Sequence, residues 1–387
     1  MKVREKMLPV CSPCGGDEEI NALSQVVKSN WFGKGPKVAE FEKEFAKRVG
    51  AKYALAVTSN SHGMDLVIKA LNIKGGDIIS PTVSFLTTAV VPVWNNCTTN
   101  VVDVDAYTMC INPKEVKKYL TSNTKAVIAV NLNGVPAPID EIRKFYDGFV
   151  IEDCAHSAPG YANAGTKGDV AIWSFQATKV ITSGDGGMIT LNDEKLYNKL
   201  KEMSWFGITQ TYDRLNKKND LSNKPGYSWN YSAENIGYKC YMIDLTAAIC
   251  LEQMKKLSKH LKWRQHIQTR YNNELNSVIK RPPWSETVQH YSIKIPTESN
   301  YNRNDLIDYL MTKNIHTSVH YKPMHQHGAI QNHLTFENRM FDIADKEWLE
   351  MMSLPCHPVM TEEDIDYVIY WVNNYFEPIG EQINEFK

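Results

Sequence analysis

Two short stretches carry side chains suited to chemistry. IEDCAHS, residues 151–157, ends an apolar run on a carboxylate, Asp153. SFQATKVITSGDGGMI, residues 174–189, sets one lysine, Lys179, in a polar turn between two apolar runs. That pair is what a pyridoxal phosphate (PLP) site needs. The lysine amine forms a Schiff base with the cofactor aldehyde. The carboxylate partners the pyridine nitrogen and keeps it protonated, so that the ring acts as an electron sink. Most lysines are solvated, and Lys179 alone would say little. The glycines of the SGDGG turn that follows let backbone approach a ligand closely or take positive φ. Ser174, just upstream, can reach the cofactor phosphate.

A phosphate needs its own donors. VTSNSHGMDL, residues 57–66, reads as a strand, a short polar turn and a helix start. Such a junction offers free backbone N–H groups and the positive end of the helix dipole to an anion. The Ser61 hydroxyl and the N–H groups of Asn60 and Ser61 are the candidate donors. Phe85, after another polar turn, is placed to stack on a flat heteroaromatic ring. Each feature has a plainer reading: a helix cap, a turn-capping carboxylate, a core aromatic. Their combination on one chain points to one cofactor.

Those residues must be positioned by a frame, and its rhythm is legible. Strands are expected at 53–59, 77–81, 99–105, 125–132, 148–154, 169–175 and 187–192, with helices at 62–71, in part of 85–94, at 112–120 and at 138–146. Asn112, Pro113 and Glu115 form a capping-box-like helix start. Alternating strands and helices predict an α/β fold with a mixed, mostly parallel sheet, whose ligands sit outside the carboxyl ends of the strands. Residues 208–235, with Tyr212, Tyr227, Trp229 and Tyr231, read as a long aromatic loop of functional type. MIDLTAAICLEQMKKL, residues 242–257, is helical, and a further long helix through 258–278 leads into a smaller α+β domain. There 289–295 and 317–321 read as strands and 302–314 as a helix, and Thr361 and Asp364 box the start of a last helix over 361–376. The large domain is set at residues 1–257, with an N-terminal arm at about 1–20, and the small domain at 258–387.

Bulk properties exclude several classes. The 387 residues are 43% hydrophobic with a formal net charge of −1, enough for a large core and without a basic block for nucleic acid. No run approaches a membrane span, and the N-terminus lacks the apolar run of a signal peptide, so a cytoplasmic enzyme is expected. The eight cysteines are scattered, and Cys11 and Cys14 form a lone CxxC, half of a four-ligand pattern. Histidines 316, 320, 325, 327 and 333 surround Pro323 with no acidic residue inside HYKPMHQH, so they read as surface or substrate-facing imidazoles rather than as a metal site.

Jointly, these motifs resemble the DegT-type sugar aminotransferases, PLP enzymes of fold type I, the aspartate-aminotransferase fold. The likeness runs through residues 29–57, IEDCAHSAPG, SFQATKVITSGDGGMITLND, ENIGYKCYMIDLTAAICLEQMKKL (234–257), VHYKPMH (319–325) and LPCHPVMTEEDIDYVI (354–369). It implies Lys179 as Schiff-base lysine and proton shuttle, Asp153 on the pyridine nitrogen, and His156 beside the cofactor 3-hydroxyl. It implies Phe85 on the ring and Asn60, Ser61 and Ser174 on the phosphate. It also implies a homodimer with shared sites, in which the GYKCYM segment of one subunit, with Lys239 and Tyr241, reaches the other's cofactor phosphate. Many members have SGT or SAT where this chain has Ser59-Asn60-Ser61, and asparagine in the GY segment where it has Lys239 and Tyr241. His156, where glutamine is common, resembles the branch that aminates carbon four of nucleotide-linked keto sugars. The resemblance thus implies transfer from L-glutamate to a nucleotide-linked 4-keto-6-deoxyhexose for surface glycans, with a 3-keto sugar as the alternative. His320 and Tyr321, with the aromatic loop, are the substrate-side candidates. A dehydratase on the same scaffold replaces the lysine with histidine, which Lys179 opposes; a purely regulatory role leaves a complete lysine, aspartate and serine set without a purpose.

Overall fold

The computed structural model describes residues 1–208, 232–336 and 338–377. Most of the aromatic loop, including Tyr212, Tyr227, Trp229 and Tyr231, lies outside the described residues.

An eight-stranded sheet forms the frame. Across it run β1 (Tyr53–Val57), β7 (Gly187–Leu191), β6 (Val170–Ser174), β5 (Phe149–Asp153), β4 (Thr124–Val130), β2 (Asp77–Pro81), β3 (Thr98–Val102) and β9 (Leu334–Thr335). Neighbours are parallel except that β7 runs against both β1 and β6. Helices α1 (Asp17–Lys28) to α8 (Asp244–Glu274) supply the large region's layers, including α2 (Pro36–Val49), α3 (Asn60–Ala70), α4 (Thr87–Trp94), α5 (Pro113–Tyr119), α6 (Ile139–Ile142) and α7 (Glu194–Met203). Burial on both faces explains why the strands are near-continuous apolar runs: β7 is buried at every position.

Register decides where the chemistry lies. Gly187 pairs with Val57 on one side and Ser174 on the other, while Asp153 pairs with Val130 and Ile172. The carboxyl ends of β1, β4, β5 and β6 therefore share one edge of the sheet. The lysine turn is fixed from below by an aromatic cluster: Phe175 meets Phe41 and Phe45 edge-on, with ring centroids 5.2 and 5.6 Å apart.

A second sheet pairs β8 (Tyr291–Lys294) with β10 (Met351–Leu354), antiparallel. Around it pack α9 (Arg303–Thr312) and α12 (Glu362–Tyr375), while α10 (Gly328–Gln331) is a single turn and α11 (Asp342–Glu350) places Ala344 in the large sheet's core. The capping box of Thr361 and Asp364 forms as read from the sequence. Three expectations are corrected. Residues 317–321 are not a strand: Ser318 makes one bridge, to Ser353, and the chain then turns along a cavity. The helix over 138–146 is α-helical only at Ile139–Ile142; the Arg143 guanidinium donates to the Gly148 carbonyl at 2.6 Å and closes the turn. The two expected helices at 242–278 are one, α8, which crosses residue 258 unbroken. The first residues are stitched to the segment that follows α9: Leu8 N–H donates to Asn314 O, and His316 N–H to Leu8 O. β9, from beyond residue 258, pairs with β3 in the large sheet. Among the described residues no helix is long and apolar enough to cross a membrane.

Candidate active site

A cavity of about 560 Å³ opens at the shared sheet edge. Asn60, Ser61, Phe85, Asp153, His156, Ser174, Lys179, His320 and Tyr321 all line it, brought together from positions as distant as 60 and 321. Lys239 and Tyr241 do not. They lie along the outer edge of β1, where Tyr241 bridges Val57 and the Lys239 ammonium sits over the Trp205 ring, 5.6 Å from its centroid.

Asp153 is the last residue of β5 and is buried. Its Oδ1 accepts from the Asn60 amide and from Ala155 N–H, each at 3.0 Å. Burial pushes its carboxyl up; those two donors and the Lys179 charge pull it back.

Lys179 ends a tight turn, its N–H donating to Gln176 O at 2.9 Å, while Gln289 from the second sheet's region donates to Thr178 O at 2.9 Å. Burial lowers its amine from 10.5 to about 8, with Asp153 and Cys11 opposing. The amine is therefore available as a nucleophile more than two pH units below an ordinary lysine. In cofactor-free protein the rate of PLP capture is expected to rise with pH and level off above about 8. Stopped-flow absorbance across pH 6–10 checks this; a rate still climbing toward ~10.4, the ordinary lysine value, would contradict it.

At the other end, α3 begins on Ser59, whose hydroxyl accepts from His62 N–H at 3.2 Å. Ser61 Oγ lies 2.7 Å from Thr87 Oγ1, and Ser174 Oγ accepts from Gln176 N–H at 3.4 Å. The helix N-terminus and these hydroxyls form a cradle suited to a phosphate. Gly187 makes it possible: a Cβ there would fall 2.5 Å from the Ser59 carbonyl carbon and 2.7 Å from Asn60 N. Gly187→Ala is expected to cost about 1–3 kcal/mol in stability and to weaken PLP binding, because the α3 start must move. Thermal melts and PLP titration of the variant check both effects; an unchanged PLP affinity would refute the second.

Between the two ends, Phe85 is 58% exposed to the cavity, edge-on to Tyr321 at 5.8 Å. Exposure of so large an apolar ring fits a stacking platform rather than a core role. Asn133 N–H donates to His156 Nδ1 at 3.2 Å, so the imidazole proton belongs on Nε2, which lies 3.0 Å from the Tyr321 hydroxyl. His290 stacks on His320 with centroids 3.7 Å apart, and His320 Nδ1 lies 2.9 Å from Ser353 Oγ. Burial drives His156 and His290 well below the usual imidazole range, and drives His320 down to about 4. All three are neutral at pH 7.

Thr87, Gln176, His290 and Cys11 also line the cavity without having been singled out for it. Gln176 lay within the lysine motif; the others come from remote segments with no local signal. Cys11, read as half of a lone CxxC, places Sγ 3.6 Å from His290 Nδ1, and burial pushes its thiol up. His325 is neither a surface nor a substrate-facing group. It is buried, stacks on Phe341 at 4.1 Å, and bonds Thr82 and Asp345.

A half-buried lysine amine, a buried carboxylate, an exposed aromatic face and a hydroxyl-lined helix N-terminus fit PLP at both its ends. Fold and site together define a fold type I PLP-dependent aminotransferase. Residues 13–373 match the model of the DegT/DnrJ/EryC1/StrS aminotransferase family. An uncharacterised protein of Methanocaldococcus jannaschii is 35% identical over 384 residues, 95% of this chain and 97% of its own. The spore coat polysaccharide biosynthesis protein SpsC of Bacillus subtilis is 34% identical over 95% of this chain and 96% of its own. The fold is also that of Spr1654 from Streptococcus pneumoniae in its PLP form, with a TM-score of 0.85 at 24% identity over 95% of this chain and 98% of that one. The chain belongs to the DegT/DnrJ/EryC1/StrS aminotransferase family. It is a transaminase, and its cofactor is PLP.

Proposed function

We propose that this aminotransferase moves an amino group from L-glutamate to a nucleotide-linked keto-deoxy sugar, a 4-keto-6-deoxyhexose, in amino-sugar synthesis for surface glycans. The observation that carries the sugar reading is the polarity of the cavity. Among its described lining residues Lys179 is the one Lys or Arg, while three neutral imidazoles and Tyr321 line the same cavity. Neutral groups that both donate and accept suit the hydroxyls of a sugar ring. The relative SpsC, named for polysaccharide synthesis, supports the same substrate class.

When bound, PLP supplies a carbonyl that condenses with amines and a ring that takes up the electron pair released at the substrate carbon. Asp153 holds the proton on the ring nitrogen. Phe85 would cover one face of the ring, and the α3 N-terminus with Ser61 and Ser174 would hold the phosphate. The Lys179 amine would act as general base toward the proton on the donor's α-carbon and then as general acid. The keto sugar receives the amino group by the reverse path, so the kinetics are ping-pong. His156 would be the hydrogen-bonding group for the cofactor's 3-hydroxyl, and His320 and Tyr321, which line the same cavity, would hold the sugar.

The purified protein with PLP should show a visible band that L-glutamate bleaches as 2-oxoglutarate forms. Nucleotide-linked 4-keto and 3-keto sugars should then restore it, the 4-keto sugars with the higher kcat/KM. A band insensitive to glutamate would remove the donor assignment. Restoration by 3-keto sugars alone would move the reaction to carbon three.

We also infer a homodimer in which Lys239 and Tyr241 reach the partner's cofactor phosphate, since neither lines the cavity of its own subunit. Trp31, Phe32, Phe206, Ile236 and Ile243 are exposed around that segment, an apolar surface of the kind that interfaces cover. Lys239→Ala should weaken PLP binding about tenfold, as expected for one charge-assisted phosphate contact. An unaltered PLP dissociation constant, or a fully active monomer by light scattering, would refute the shared site.

A further inference from the structure

Asn60 does more than open α3. It is buried at the first turn of the helix, and its side chain points toward the sheet rather than along the phosphate cradle. Its Nδ2 donates to Asp153 Oδ1 at 3.0 Å and to the Ile172 carbonyl at 3.2 Å. Both partners are oxygen acceptors, so the amide can be oriented only with its NH2 group toward them. Each N–H is used, and the side chain ties the helix start to the end of β5 and the middle of β6 at once. Ala155 N–H supplies a second donor to the same Oδ1. Among the described residues no hydrogen bond reaches Asp153 Oδ2. One oxygen of the carboxylate is thus clamped by two donors, and the other is left facing the cavity that Asp153 lines.

We propose that Asn60 is a positioning residue for transamination: its amide pins Oδ1 of Asp153 so that Oδ2 is presented, charged, to the pyridine nitrogen. The inference rests on the reading of Asp153 as the partner of that nitrogen. The physical need is clear from the setting. Asp153 is buried among apolar strand ends, where an ionised carboxylate is disfavoured and free to rotate about its last torsion. A hydrogen bond from a neutral amide favours the charged form and fixes the rotation without introducing a cation that would compete with the ring nitrogen. An alanine at position 60 would leave Ala155 N–H as the one remaining clamp among those described.

The test uses the PLP-loaded protein and three variants: Asn60→Ala, Asn60→Asp and Asp153→Asn. Readouts are the pH titration of the bound cofactor's absorption band, kcat and KM for the amino donor, and the melting temperature. Asn60→Ala should shift the midpoint of the band's titration and lower kcat about tenfold, the loss of one hydrogen bond to a charged group, with KM within about twofold. Asn60→Asp keeps the shape, removes the donor and sets a second carboxylate against Asp153; its kcat should fall further, by about a hundredfold. A merely structural Asn60 would lower the melting temperature and leave the band's titration where it is in both variants, and that result would overturn the proposal. Silent Asn60 variants beside an inactive Asp153→Asn would overturn it alone. A fully active Asp153→Asn would overturn it together with the reading on which it rests.

Discussion

Lys179→Ala is expected to lower the rate of amino transfer about 10⁴-fold, the upper end of the range for removing a positioned acid–base group, while PLP still binds. The affinity survives because the phosphate cradle, Phe85 and Asp153 are untouched. The rate does not, because the amine at position 179 is the one lysine nitrogen that lines the cavity among the described residues. Its depressed proton affinity, about 8, makes it both nucleophile and base near neutral pH. Single-turnover absorbance with L-glutamate in large excess measures the loss directly. A small primary amine added to the variant should restore part of the rate, since it supplies a base without the tether. A variant within tenfold of wild type would place the proton transfer elsewhere.

Asp153→Asn is expected to reduce kcat about 10²–10³-fold, because a neutral amide cannot hold a proton on the ring nitrogen by charge. The variant keeps its shape, and its side-chain oxygen still accepts from Asn60 and Ala155. Stability should move the other way. Burial holds the Asp153 carboxyl above its ordinary range, so the folded state binds this proton more readily than the unfolded one. Below that ordinary range both states are protonated and the group costs nothing. As pH rises through the folded value the charge is forced into the interior and stability is lost. At pH 7 the cofactor-free Asn variant should therefore melt no lower than wild type. Equal activity of the two proteins, or a clear loss of stability in the variant, would show that Asp153 is not a strained functional carboxylate.

Much of the frame was legible because burial writes itself into local sequence. The strands at 77–81 and 187–191 stand where their apolar runs predict, and Asn112 caps α5 through its side chain at 3.0 Å. The misreadings have physical reasons. TSVHY alternates like a strand, but it follows the rim of the cavity and finds one bridging partner. PIDEIRKFY has helical spacing, but Phe145 and Tyr146 turn back against the core beneath β4 and β5. The site was legible only where its residues share a motif with a strand end and a turn. His290 carries no local mark, Cys11 reads only as half of a lone CxxC, and Asn60 reads as a phosphate donor at a helix start rather than as a partner of Asp153.

The sequence by itself determined the α/β class, the lysine and the carboxylate, and the family likeness, since periodicity and motif spacing are properties of neighbours along the chain. The tertiary structure decided that Ser174, Gly187 and Val57 stand side by side, that the Asn60 amide spends itself on Asp153, and that His156, His290 and His320 meet as neutral rings in the cavity that Lys179 lines. Those facts depend on strand register and burial, which are set by packing between distant segments and by the loss of water around them.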